Sequence, residues 1–261
     1  MKVHPRHLSK LVGALVLMFA GALASAADLK VFSAVAMQAI TADLAPKFER
    51  ATGHKLLVTV DVLGGMMKRI ESGETADVIL LPGQGIATLV KQGKASESEV
   101  RPVARSSVGV AVRRGAPRPD ISSPDAFKQS LLAAKSIFIS DPAQGGFVTP
   151  HLLKVFERLG IAEEMKRKTV FTKAAGTAGI EQVVATTDVN MGLNQLQEFA
   201  PVATMEIVGP LPGDLGLTTP FSAVVMGGTK EAEAARALIN FMRTPEAATV
   251  IRAKGMESAA P

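Results

Sequence analysis

The sequence predicts an α/β protein with a mainly parallel sheet, divided between two lobes that enclose a ligand cleft. Short apolar runs alternate with segments of helical periodicity along most of the chain, a pattern typical of parallel strands covered by helices. Near residues 104–107 and 202–209 the chain can pass between two units, and a cleft between such units is a natural ligand site. The predicted first lobe comprises residues 28–105 and 202–261, and the predicted second lobe comprises residues 106–201.

Residues 1–26 are typical of a cleaved secretory signal peptide. A basic start is followed by an apolar run that is short for a membrane span, and the small residues Ala24-Ser25-Ala26 suit cleavage after Ala26 or Ala27. The chain contains no Cys, which excludes disulfides, thiolate metal sites and a lipid-modified N-terminal cysteine. We therefore expect a monomer that is released into the periplasm and is not embedded in a membrane.

In the first unit, three apolar runs predict strands, and each is followed by a predicted helix. The strands are "LKVF", "HKLLVTV" and "ADVILL". The first helix is expected to end near Gly53, which suits the left-handed residue that commonly terminates a helix. Pro46 lies inside this helix and predicts a kink or a break. The second helix follows Gly64-Gly65 as "MMKRIESG", and the third covers residues 83–92.

The second unit continues the same alternation. Its predicted strands are "VGVAVRR", "KSIFIS", "KRKTVF" and "VNMGLNQ". Ser123 followed by Pro124 is a helix start signal, and further helices are expected over residues 148–159 and 179–186. The stretch "MEIVGPLPG" then predicts an extended crossing between the units. After it, "FSAVVM" predicts a strand, and "KEAEAARALINFMR" and "PEAATVIRAKG" predict two terminal helices.

Four predicted helices begin directly after small, uncharged residues, two in each lobe. A helix start carries unpaired N–H groups and about half a positive charge, so it can bind an anion without Lys or Arg. Taken singly, each start is a common loop-to-helix junction, and a Gly-Gly pair can serve only a tight turn. Taken together, they predict a small anion held in the cleft by main-chain N–H groups. The segments are Ser33-Ala34-Val35-Ala36, Gly64-Gly65, Gly145-Gly146 and Gly176-Thr177-Ala178.

Composition excludes several functional classes. The predicted leader holds three of the 29 basic residues and none of the 24 acidic ones, so the remaining chain has 26 basic residues against 24 acidic. This balance, in a chain without Tyr or Trp, argues against nucleic-acid binding. His54 and His151 are accompanied by no Cys nucleophile and no G-x-S-x-G elbow, and no spacing resembles a metal site. We expect neither catalysis nor a cofactor.

Five stretches of the chain carry a family resemblance. They are "VFSAVAMQAITADLAPKFERATGHKLLVTV", "GGMMKRIESGETADVILL", "DPAQGGFVTPHLLKVFERLGI", "VNMGLNQ" and "ALINFMRTPEAATVIRAKGME". Together they resemble periplasmic molybdate-binding proteins over nearly the whole chain after the leader, and "IESGETADVILL" is the most specific part. The resemblance implies the two-lobed type II periplasmic binding protein fold. It also implies an extracytoplasmic receptor that delivers its solute to an ABC permease.

The resemblance also implies where the ligand is held. Members of the family bind a tetrahedral oxyanion through backbone N–H groups, two Ser hydroxyls and often a Tyr hydroxyl. The three hydroxyl positions correspond here to Ala36, Gly64 and Gln195, none of which has a hydroxyl group. A molybdate-like oxyanion, a different anion such as a small carboxylate, and a receptor that acts on a signalling partner therefore all stay open.

Backbone contacts and side-chain donors complete the predicted site. The family's remaining main-chain contacts map near Val148 or Thr149 and near Thr177, while Asn194 and Gln195 are candidate side-chain donors. The predicted ligand-binding residues are Ser33, Ala34, Ala36, Gly64, Gly65, Val148, Thr149, Thr177, Asn194 and Gln195.

Overall fold

A computed structural model of the protein describes residues 26–144, 148–174 and 176–259. The predicted signal peptide lies outside these residues except for its last position, and so does the predicted helix start at Gly145-Gly146. Among the described residues, no helix has the length and apolar character needed to cross a bilayer. The strands are β1 (Asp28–Ala34), β2 (Lys55–Asp61), β3 (Val78–Pro82), β4 (Arg101–Arg113), β5 (Ile137–Ser140), β6 (Thr169–Thr172), β7 (Met191–Gln195), β8 (Met205–Pro210), β9 (Thr218–Val225) and β10 (Glu257–Ser258). The helices are α1 (Gln38–Thr52), α2 (Leu63–Glu71), α3 (Gly83–Lys91), α4 (Pro124–Ala133), α5 (Val148–Arg158), α6 (Ala162–Lys168), α7 (Gly176–Thr186), α8 (Leu196–Phe199), α9 (Ala232–Phe241) and α10 (Pro245–Ala253).

The strands form one mixed sheet of ten strands, in the order β2-β1-β3-β9-β4-β7-β5-β6, with β8 and β10 also paired to β4. The groups β2-β1-β3 and β7-β5-β6 are parallel, as predicted. The centre is antiparallel, because β9 runs opposite to β3 and to β4, and β4 runs opposite to β7. The expectation of a mainly parallel sheet is therefore wrong at the centre. Continuous apolar runs are typical of parallel strands because such strands are buried on both faces, and the antiparallel strands β4 and β9 have the same pattern since they too are largely buried.

Strand β4 passes through both halves of the sheet. Its residues 101–107 pair with β9, and its residues 108–112 pair with β7. The buried apolar side chains divide at the same place. One cluster draws its members from residues 27–104 and 221–256, and two smaller clusters draw theirs from residues 108–215. We call these the first and second packing units.

Residues 205–210 were expected to cross between units, and instead they form β8 against β4. Met205 packs among buried side chains of the second packing unit, and so do Leu211 and Leu215 further along. The buried residues of the first packing unit resume at Phe221. The chain therefore returns between Leu215 and Phe221, after β8 has completed the second unit.

Local signals explain the end of α1 and the start of α4. The left-handed residue that ends α1 is Gly53, with φ of 78°, and the Ser123 hydroxyl accepts a hydrogen bond from Ala126 N at 3.1 Å to cap α4. Pro46 does not split α1, which runs unbroken from Gln38 to Thr52.

The predicted strand "KRKTVF" is wrong in its first half, because Lys166–Lys168 form the last turn of α6. Positive charge is favourable at a helix carboxyl end, and Glu164 pairs with Lys168 one turn later at 3.2 Å.

Candidate functional site

The candidate site is built on the carboxyl ends of the two parallel strand groups. In open α/β sheets, ligands bind outside the carboxyl ends of strands, where the following helices begin. We call the ends of β1, β2 and β3 the first edge, and the ends of β5, β6 and β7 the second edge. The predicted binding residues divide between them. Ser33, Ala34, Ala36, Gly64 and Gly65 lie at the first edge, and Val148, Thr149, Thr177, Asn194 and Gln195 lie at the second.

At the end of β1, the small residues lie partly in the strand and not in a helix start. Ser33 and Ala34 are the last two residues of β1, and both are buried. The Ser33 hydroxyl donates to the carbonyl oxygen of Ala34 at 3.3 Å. A single 3-10 turn, Val35–Met37, separates the strand from α1, and no side chain caps that turn. The N–H groups of this turn, and not a side chain, are therefore what β1 and its turn can offer a ligand.

At the end of β2, Gly64 and Gly65 lie inside the first turn of α2, which begins one residue earlier than Gly64. Gly64 is exposed, and a methyl group added to it would meet no atom within 4 Å. A methyl group on Gly65 would overlap the Asp61 carboxylate. That carboxylate accepts from Val62 N at 2.8 Å and from Arg69 Nε at 3.0 Å, and the Arg69 hydrogen bond is the main reason why the pKa of Asp61 is lowered. Gly64 thus keeps the helix start open, and Asp61 orders the residues before it.

At the second edge, side chains from five elements form a connected polar network. The Asn194 amide donates to Ser140 Oγ at 3.1 Å and to Glu198 Oε2 at 2.6 Å. The Thr149 hydroxyl donates to the carbonyl oxygen of Ser140 at 2.7 Å, and the Thr177 hydroxyl donates to the carbonyl oxygen of Glu198 at 3.1 Å. Three predicted binding residues are thereby brought together by two residues that the sequence did not single out.

Glu198 is the titratable member of this network. It lies in the short helix α8, directly after β7, and its side chain is partly buried. Burial raises the pKa of Glu198 to about 7, and the hydrogen bond from Asn194 opposes that rise. The only sequence signal for this pair is a Glu placed four residues after an Asn at the end of a predicted strand.

The Gln195 side chain is engaged inside the protein. Its Oε1 lies 3.1 Å from Ser106 Oγ and accepts a short hydrogen bond from Gln197 Nε2. Ser106 Oγ also lies 2.6 Å from Gln197 Oε1, and all three residues are buried. The Gln195 carboxamide oxygen therefore already has hydrogen-bond partners inside the protein. A role for Gln195 in ligand binding stays a prediction.

A crevice of about 580 Å³ opens between the two edges. On one side it is lined by the β3–α3 junction at residues 82–84, and on the other by the first turns of α5. Residues 217–220, around the start of β9, also line it, and the chain returns to the first packing unit there. Pro82 ends β3 at the first edge, and Pro150 follows the start of α5 at the second, but none of the ten predicted binding residues lines the crevice. The described residues contain no group of three or more His, Asp or Glu side chains that could hold a metal ion.

The fold and this site define a two-lobed α/β ligand-binding protein. The sequence matches a family model described as "Bacterial extracellular solute-binding protein" over residues 29–257. The chain belongs to this family, and the resemblance to periplasmic molybdate-binding proteins is confirmed.

Three relatives illustrate the range of ligands in the comparison. Aconitate isomerase from Pseudomonas sp is 32% identical over 260 residues, covering 97% of each chain. Molybdate-binding protein ModA from Azotobacter vinelandii is 28% identical over 255 residues, covering 95% of this chain and 97% of ModA. The structure of the tungstate-binding protein TupA from Desulfovibrio alaskensis superposes with a TM-score of 0.65 at 16% identity, covering 90% of this chain and all of that one. The first relative is named as an enzyme, and the other two are named as binding proteins for the anions molybdate and tungstate.

Proposed function

We propose that this protein is a periplasmic receptor that binds a small carboxylate anion between two lobes and delivers it to an ABC permease. In this proposal the two packing units are the lobes. The boundaries predicted from sequence, residues 28–105 with 202–261 and residues 106–201, are kept, except that the return passage moves to residues 216–220. Main-chain N–H groups at the two edges hold the anion, and closure of the lobes around it forms the surface that the permease contacts.

The observation that carries this proposal is the side-chain content of the site. The three positions at which the family resemblance implies hydroxyl donors carry Ala36, Gly64 and Gln195, and the Gln195 carboxamide oxygen is already hydrogen-bonded. Three missing hydrogen bonds weaken binding of a tetrahedral oxyanion by about 3 kcal/mol, or about two orders of magnitude in affinity. A carboxylate has two oxygens in place of four, so the N–H groups of helix starts satisfy it with fewer donors.

The similarity to an aconitate isomerase supports the same choice of ligand class. Aconitate is an unsaturated tricarboxylate, and that relative is similar over 97% of both chains. A protein of this fold with a carboxylate ligand is therefore present among the relatives, beside the oxyanion binders.

Isothermal titration calorimetry of the mature protein with a panel of anions tests the proposal. The panel contains molybdate, tungstate, sulfate, phosphate, and mono-, di- and tricarboxylates of two to six carbons. We expect at least one carboxylate to bind 100-fold more tightly than molybdate. Binding of molybdate or tungstate with the higher affinity, or binding of a sugar or a cation alone, would contradict the proposed ligand class.

A second candidate function is isomerisation of an unsaturated carboxylate. It is favoured by Glu198, since a carboxyl group with a pKa of about 7 is suited to take up and return a proton near neutral pH. Proton NMR of cis- and trans-aconitate incubated with the protein in D₂O separates the two functions. A receptor leaves both isomers unchanged, whereas an isomerase interconverts them, and Glu198→Gln then abolishes the conversion while binding is retained.

A further inference from the structure

The crevice between the edges is larger than an inorganic oxyanion requires. Its volume of about 580 Å³ lies within the range of about 300–1,000 Å³ that is typical of pockets for organic ligands. Its lining combines apolar surface with a few polar groups. Pro82, Pro150 and Pro220 contribute apolar surface, and Gln84, Thr218 and Thr219 contribute neutral polar groups.

The ionisable side chains that line this crevice are His151 and Lys154, and no carboxylate is among the described lining residues. Both lie on α5 three residues apart, so they share one face of that helix. Nε2 of His151 donates to the carbonyl oxygen of Leu215 at 2.9 Å, which holds the imidazole in place. Lys154 is exposed, and in the part of the chain that the structure describes it has no ion pair. The crevice therefore has an uncompensated positive charge on one wall.

Along α5, the crevice adjoins the second edge of the candidate site. Val148 and Thr149, at the start of α5, are predicted ligand contacts, and the crevice begins at the next residue, Pro150. His151 is three residues from Val148, or about 4.5 Å along the helix axis. That spacing is similar to the separation of two carboxylate groups on a short carbon chain. A ligand with one carboxylate at the edges can therefore extend its other end into the crevice.

We propose that this crevice binds a second carboxylate of the ligand beside Lys154 and His151. The ligand class is then a di- or tricarboxylate with a short carbon chain, and not a monocarboxylate or an inorganic oxyanion. This inference rests on the proposed function, because it takes the first carboxylate to be bound at the two edges. Gln84 and the hydroxyl groups of Thr218 and Thr219 provide the neutral polar lining around the second carboxylate.

Calorimetric titration with carboxylates matched in chain length tests the inference. Succinate and butyrate have the same four-carbon chain, and aconitate and tricarballylate add a third carboxylate. We expect succinate or a tricarboxylate to bind the wild-type protein at least tenfold more tightly than butyrate. Lys154→Met lowers the affinity for the di- or tricarboxylate about fivefold and leaves butyrate unchanged, and Lys154→Glu lowers it about 25-fold. Lys230→Met, an exposed lysine in the turn after β9, is the matched control and changes neither.

Equal affinities of Lys154→Met, Lys154→Glu and wild type for the dicarboxylates would overturn the inference while the proposed carboxylate receptor stands. Equal losses for butyrate and succinate would also overturn it, because Lys154 would then act on the first carboxylate. If no carboxylate binds and molybdate does, the proposed function itself fails, and the inference fails with it. Because Lys154 is exposed, unchanged circular dichroism and melting temperature of each variant are expected.

Discussion

The two edges of the candidate site present a ligand with opposite kinds of surface. The first edge, at the ends of β1 and β2, has small side chains at Ala34, Ala36 and Gly64. Its Asp61 carboxylate already accepts from Val62 N and Arg69 Nε, so the peptide backbone is the main polar group left for a ligand. The second edge has a network of hydroxyl, amide and carboxyl side chains centred on Asn194 and Glu198. In such a receptor, main-chain N–H groups bind the charge of the ligand at the first edge. Side chains at the second edge select the shape and the protonation state of the ligand. Variants that act on one edge at a time test this division.

The largest difference is expected between two helical glycines, one at each edge. A methyl group on Gly179, in α7, would overlap the carbonyl oxygen of Ala174, whereas a methyl group on Gly64, in α2, would meet no atom within 4 Å. We expect Gly179→Ala to lower the free energy of unfolding by about 3 kcal/mol. Gly64→Ala should leave it unchanged or raise it by about 0.5–1 kcal/mol, because Ala favours the helix. Urea unfolding curves of the two variants measure both changes.

The same Gly64→Ala protein tests the first edge as a backbone surface. Since the added methyl group stands over the helix start, we expect it to weaken binding of the carboxylate about tenfold although the fold is intact. Unchanged affinity in calorimetry would show that the start of α2 does not contact the ligand. The role of the first edge would then fall to the turn after β1.

A smaller and pH-dependent effect is expected from Glu198→Gln at the second edge. In the unfolded chain the Glu198 carboxyl ionises near its usual pKa of 4.5, whereas in the folded protein burial raises this pKa to about 7. Between these values the folded state binds a proton that the unfolded state has lost, so the contribution of Glu198 to stability decreases as pH rises from about 4.5 to 7. Gln cannot ionise, so we expect the variant to gain about 1–3 kcal/mol relative to wild type across this range.

Urea unfolding at pH 4.5, 6 and 7.5 measures this gain, and Glu181→Gln on the exposed face of α7 is the control. A constant stability difference between Glu198→Gln and wild type at all three values would mean that Glu198 titrates as an exposed carboxyl group. The network at the second edge would then be a set of hydrogen bonds without a proton-linked member.

The smallest difference is expected between two serines at the ends of parallel strands. Ser140 Oγ accepts from the Asn194 amide at 3.1 Å, so Ser140→Ala removes an acceptor from the network and should cost about 1 kcal/mol. The Ser33 hydroxyl makes only a 3.3 Å contact with the neighbouring carbonyl oxygen, so Ser33→Ala should cost less than about 0.5 kcal/mol. Melting temperatures of the two variants compare the edges directly. A greater loss for Ser33→Ala would mean that its hydroxyl stabilises the end of β1.

Features set by neighbouring residues could be predicted from the sequence. The end of α1 at Gly53 and the Ser123 cap of α4 depend on residues within one helical turn, and both are confirmed. The family resemblance is also confirmed. It could be recognised from the sequence because its most specific stretch, "IESGETADVILL", is contiguous. What the sequence could not predict depends on distant partners. The antiparallel course of β9 is set by its pairing with β3 and β4, which lie more than 100 residues earlier in the chain.

The site shows the same limit. Asn194 can be predicted as a candidate side-chain donor, but its partner Ser140 lies 54 residues away, and the pKa of Glu198 is raised by burial, which the sequence does not show. A cleft between the lobes is predicted from the sequence, but the lining of the crevice is not, because it joins the start of α3, the start of α5 and the start of β9, three segments separated by more than 60 residues each. Small residues before helices could be recognised from local pattern, whereas a charged wall or a buried acid requires the packed chain.

The course of β4 has a mechanical consequence for any receptor of this shape. The thirteen residues of this strand run without a break from one half of the sheet into the other. At that point, therefore, the halves are joined by a paired strand and not by a flexible linker. Rotation of one half against the other must bend and twist β4 together with its hydrogen-bonded neighbours, and this pairing resists the rotation. Expressing either half alone would strip one end of this strand of its partners, so the halves are expected to be soluble only as one piece.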